Sequence, residues 1–201
     1  MAFFDNLFGK GKSFSDRMRY VNDFKTEEYR NARGKIRTRA IYIGPWTVLT
    51  EPGGKTLAKL IGAAVLAGAA AASLVYALLQ MHAFSGNLLV MIPLCVALFP
   101  AFYLLMGAFS LPYRQNPMRR DQYMHGITRM QRSSVAVLAF AGVGVLASFI
   151  LRMARNDWLF LKGDIRFLVG CGVSVLCLAA ILSLLGHIDV AERPNDAYPN
   201  S

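Results

Sequence analysis

The chain has 201 residues, 55% of them hydrophobic, and carries a formal net charge of +10. Long uncharged runs use up about half the chain, which leaves too little for a large soluble core. Cys95, Cys171 and Cys177 all lie inside apolar runs, so they form neither a disulfide framework nor a paired metal set. Beside such runs a basic excess points to membrane orientation and anionic head groups rather than to nucleic acid.

Residues 1–56 divide into three parts. Phe3, Phe4, Leu7 and Phe8 share a helical face, which fits a short helix lying in a membrane interface. The same patch, followed by Gly9 and Lys10, lacks the form of a signal peptide. Ser15 is placed to N-cap a second, amphipathic helix ending near Gly34, with Met18, Val21 and Phe24 at three-residue spacing. From Lys35 to Tyr42 charged and uncharged residues alternate, as along a strand with one wet face. Gly44-Pro45 breaks that run and Trp46–Thr50 is again β-prone, which predicts a β-hairpin over 35–50.

Gly54-Lys55-Thr56 has the ending of a phosphate-binding loop, but Leu49 stands where that loop needs its first glycine. A Pro-Gly turn that leads into a helix, with Lys55 and Lys59 among head groups, accounts for it better.

Between Leu60 and Tyr113 there is no Asp, Glu, Lys or Arg. A hydrocarbon layer of roughly 30 Å takes about 20 helical residues, so this stretch is two crossings split by the polar turn His82–Asn87. Two more uncharged runs, Ser133–Leu151 and Phe167–Ile188, raise the count to four. The predicted spans are about 57–81, 87–111, 133–152 and 165–187.

In the first span Ala64, Gly68 and Ala72 form a small-xxx-small row of the kind that lets helix backbones approach closely. Gly144 and Ser148 in the third span, and Gly170 and Ser174 in the fourth, offer similar packing positions. Pro93 and Pro100 in the second span each remove a backbone hydrogen bond and mark a bend or hinge. The connection 112–132 is basic, and Asn116-Pro117 is suited to start an interfacial helix with Met118, Ile127 and Met130 as its apolar face. Trp158 and Phe160 read as interface anchors, and the tail from Asp189 as a short, polar, disordered segment.

The sequence thus predicts an all-α polytopic membrane protein. Two hairpins make four transmembrane helices over 57–187, preceded by a basic helix and β-hairpin over 1–56 and followed by a polar tail over 188–201. Lys and Arg number twelve in residues 1–59, none in the first turn, five in 112–132 and four in 152–166. The positive-inside rule then puts both termini in the cytoplasm, and the short loops suit a bacterial inner membrane. Lys35, Arg37, Arg39, Lys55, Lys59, Arg114, Arg119, Arg120, Arg129 and Arg132 would form a collar facing anionic lipid.

No catalytic, cofactor or metal site is expected, because no ionisable residue lies deeper than the span ends and no nucleophile, histidine or thiol set has a supporting spacing. The pattern fits a scaffold, assembly factor or accessory subunit that works through helix contacts within a homo- or hetero-oligomer. The alternative is a transporter or channel component with a proline-bent second span.

Overall fold

The computed structural model describes residues 23–30, 36–50, 53–80, 86–111, 113, 117–155 and 162–195. Strands β1 (Phe24–Arg30) and β2 (Ile36–Tyr42) form an antiparallel hairpin. Strand β3 (Trp46–Leu49) then leads into helix α1 (Gly53–Leu79). Helix α2 (Leu88–Phe109) follows, then the two-residue strand β4 (Met118–Arg119), helix α3 (Arg120–Arg155), helix α4 (Lys162–Gly186) and strand β5 (Val190–Arg193). All four helices are long and apolar enough to cross a membrane.

The helices pack with small or aliphatic residues inward and large ones outward. On α1 the buried residues Leu60, Ala63, Ala67, Ala70, Leu74 and Ala77 recur every three or four positions, as one helix face does. Leu79, Phe99, Phe102 and Phe109 are instead more than half exposed, a distribution suited to a hydrocarbon exterior. α1 packs chiefly on α4, and α2 on α3. Two glycines set those distances. A Cβ at Gly144 would lie 2.6 Å from Leu94 Cγ, and one at Gly170 would lie 2.9 Å from Ala77 Cβ. Ser174 Oγ donates to the Ala70 carbonyl at 3.2 Å, a hydrogen bond that crosses from α4 to α1.

β3 is the centre of a three-stranded antiparallel sheet, β4-β3-β5. Trp46 pairs with both Arg119 and Arg193, and Leu49 with Val190. β3 leads into α1, β4 leads into α3 and β5 follows α4, so one sheet ties three helix ends together. It also places residues 46–49, 118–119 and 190–193 at the same end of the bundle.

The tail from Asp189, expected to be disordered, instead pairs as β5 with β3, and three further expectations are corrected. Strand β2 does not fold back on β3 as the hairpin predicted over 35–50. It pairs instead with β1, where Glu27 lies opposite Arg39 and Phe24 opposite Tyr42. Opposite charges and aromatic pairs across antiparallel strands are favourable, which outweighs the helical spacing of Met18, Val21 and Phe24. The predicted helix starting at Ser15 is therefore strand over Phe24–Arg30, and its earlier part lies outside the described residues, as does the interfacial helix expected near Phe3. Gly44-Pro45 carries the chain out of one sheet and into the other. The amides of Ile43 and Gly44 donate to the Asp23 carbonyl at 2.8 and 3.2 Å. Gly44 sits so close to the Asp23 side chain that a Cβ would lie 2.6 Å from its Cγ.

The third correction concerns 112–132. A separate interfacial helix starting at Asn116-Pro117 is replaced by α3, which starts at Arg120 and continues through a π-helical turn at Met124–Thr128. The Arg119 amide donates to Gln122 Oε1 at 3.1 Å at this start. Met118, Ile127 and Met130 face the bundle rather than a membrane surface, and all three are fully buried. Gly126 permits the approach to α2, since a Cβ there would stand 3.0 Å from the Ser110 carbonyl oxygen.

These contacts predict opposite responses to one methyl group. Gly144→Ala and Gly170→Ala should each lower stability in detergent by about 1–3 kcal/mol through overpacking. Gly68→Ala, whose Cβ meets nothing within 4 Å, should raise it by about 0.5–1 kcal/mol through helix propensity. Denaturation midpoints followed by circular dichroism check both signs.

Candidate functional site

Polar chemistry gathers at the sheet end. Tyr42, the last residue of β2, is buried at the junction of the hairpin and the second sheet. Its hydroxyl donates to the Pro45 carbonyl at 2.6 Å and accepts from the Arg120 amide at 3.3 Å. Its carbonyl accepts from Asn195 Nδ2 at 3.2 Å. Phe24 and Trp46 meet its ring edge-on, each at 5.3 Å between centroids, and the Arg119 guanidinium lies 5.7 Å from the ring centre. One tyrosine therefore joins β1, the β2–β3 link, the start of α3 and the chain beyond β5.

Asp23 flanks this junction. Burial pushes its carboxyl above the ordinary value of 3.8; nearby Arg120 opposes that, and Asp121 and Glu192 add to it. Burial likewise raises the Tyr42 phenol, so it stays a protonated donor at neutral pH.

The collar residues come from different elements. Arg37 lies opposite Tyr29 in the hairpin and Arg39 opposite Glu27. Lys55 is exposed, and Lys59 donates to the His187 carbonyl at 2.9 Å, linking α1 to the end of α4. Arg129 contacts His125 Nδ1 at 3.2 Å and lies 5.9 Å from the Tyr103 ring centre; Arg132 is exposed. Lys35 and Arg114 lie outside the described residues, as do the anchors Trp158 and Phe160.

The predicted packing residues separate into two groups. Gly144, Ser148, Gly170 and Ser174 are buried within the bundle. Ala64 is half-buried, and Gly68 and Ala72 are exposed on the outer side of α1. Pro93 and Pro100 are half-buried inside α2, which is a single helix from Leu88 to Phe109.

Sequence reasoning missed an ion pair at the opposite end, where Arg152 Nη2 stands 2.7 Å from Asp164 Oδ1 and both side chains are nearly inaccessible. The legible signal was opposite charge at the facing ends of consecutive spans. Next to it α3 and α4 leave an apolar cleft of about 340 Å³, lined by Ala141, Gly142, Phe149, Leu168, Cys171 and Gly172 among others. Among the described residues no group of three His, Cys, Asp or Glu could hold a metal ion. No family model, curated protein or solved structure matches this chain.

The raised Asp23 carboxyl gives a signed pH dependence. The folded chain holds that proton more tightly than the unfolded chain. The associated stability is therefore full below 3.8 and is lost as pH rises through the raised value. Trp46 fluorescence in a Trp158→Phe background should show the sheet end weakening to urea over that rise. Asp23→Asn should flatten the change.

Proposed function

We propose that this is a non-catalytic integral membrane protein, a scaffold, assembly factor or accessory subunit that works through contacts between helices. The observation that carries this reading is the contrast between the interior of the bundle and its surface. Inward positions are filled by small and aliphatic side chains, and the buried Arg152 and Asp164 are matched to each other. A transport path needs polar lining, whereas the α3–α4 cleft is apolar. Gly68 and Ala72 leave a shallow strip on the exposed side of α1, and small residues favour helix association where lipid surrounds both partners.

The sheet end is assigned to the cytoplasm, on the excess of Lys and Arg there and the positive-inside rule. The collar residues outside the hairpin then face anionic head groups, each charge contributing about 1 kcal/mol near the surface.

Two measurements test this. In a chain with Cys95, Cys171 and Cys177 replaced by alanine, single cysteines at Thr38 and Gly86 should react with an impermeant reagent from opposite sides, Thr38 from the cytoplasm. Reaction of both from one side defeats the topology. Crosslinking in native membranes, followed by isolation in mild detergent, should recover a partner in fixed ratio, and Gly68→Leu should abolish that recovery without lowering stability. A homo-oligomer that passes solute in liposomes would instead support a transporter, and an inert monomer would overturn the contact reading.

A further inference from the structure

The β1–β2 hairpin stands apart from the rest of the fold. Each strand has seven residues, a ribbon about 23 Å long. It is anchored at its base by Tyr42 and Phe24, while Thr38, Arg39 and Ala40 are exposed, Tyr29 is 46% exposed and Ile36 is 64% exposed. The sheet has two strands only, so among the described residues each has one neighbour and one edge without a strand against it. A lone two-stranded ribbon is marginal in water, and an open edge is a template for another strand.

The two edges differ in charge. β1 carries Lys25 and Arg30 against Glu27 and Glu28, whereas β2 carries Arg37 and Arg39 and no acid. We infer that the open edge of β2 is a docking site for an extended acidic segment of a partner protein, which adds as a third strand. Main-chain hydrogen bonds from alternate residues of 36–41 hold it, and a carboxylate lies beside position 39. A second copy of this chain fits poorly, because β2 against β2 sets arginine near arginine and β1 against β2 offers a strand whose Lys25 and Arg30 offset Glu27 and Glu28. Residues 1–22 fit poorly too, with four Lys and Arg to two Asp. This inference is independent of any contact through the helices.

The full chain in phosphatidylcholine nanodiscs is titrated with three fluorescent eight-residue peptides: alternating Val and Glu, alternating Val and Lys, and the acidic peptide N-methylated at alternate residues. The acidic peptide should bind about tenfold or more tighter than either other, since N-methylation removes several hydrogen bonds. It should also slow amide exchange in 36–41 and leave the open edge of β1 unchanged. Arg39→Gln should weaken binding about threefold. Glu27→Gln, which breaks the same cross-strand pair, should not weaken it. Equal binding of the N-methylated peptide overturns the strand pairing. Unchanged exchange in 36–41, or loss of binding in Glu27→Gln as large as in Arg39→Gln, overturns the site. Protection, without peptide, of the amides in 36–41 that do not bond to β1 shows that the chain's own segment lies there, and their protection on adding phosphatidylserine alone shows that a lipid surface does; either result overturns the proposal.

Discussion

The arrangement of this protein depends on the pairing of β3 with two strands that are distant in sequence. β3 immediately precedes α1, β4 immediately precedes α3, and β5 follows α4 after a short link. Backbone hydrogen bonds in one small sheet therefore fix three helix ends in relation to one another. All four helices are long and apolar enough to cross a membrane, and in hydrocarbon helices gain nothing from hiding apolar surface from one another, so close packing and such ties would set their arrangement there. Tyr42 reinforces the tie, because its hydroxyl, carbonyl and ring each engage a different segment.

Inside the bundle, close approach does what burial of large side chains does in a soluble core. Gly144 against Leu94 and Gly170 against Ala77 set the two tight helix pairs. Ser174 then reaches the Ala70 carbonyl across one of them. At the far end the Arg152–Asp164 pair joins α3 to α4, where the cleft shows their packing is more open. Removing one partner would leave a nearly inaccessible charge, a loss of about 3–5 kcal/mol.

Electrostatics is asymmetric along the molecule. Lys55, Lys59 and Arg119 lie at the sheet end, Arg129 and Arg132 follow farther along α3, and the hairpin adds further arginines. Three of the acids at that end, Asp23, Asp121 and Glu192, lie close together, with Arg120 also acting on Asp23, and burial keeps the Asp23 carboxyl above its ordinary range.

The sequence by itself determined the number and approximate limits of the four apolar helices, because an uncharged run long enough to cross hydrocarbon must satisfy its own backbone as a helix there. It also contained the glycines and serines of the helix contacts, yet spacing could not say which face each would occupy. Ala64, Gly68 and Ala72 make as regular a row as Ala63, Ala67 and Ala70, but the bundle buries only the second. The tertiary structure alone decided strand partners. Residues 46–49 hydrogen-bond to chain about 70 and 140 residues away, and alternation in one strand does not encode which strand it meets. It also decided that Phe24–Arg30 is a strand, since Glu27 and Arg39 favour pairing only once the two segments are brought together.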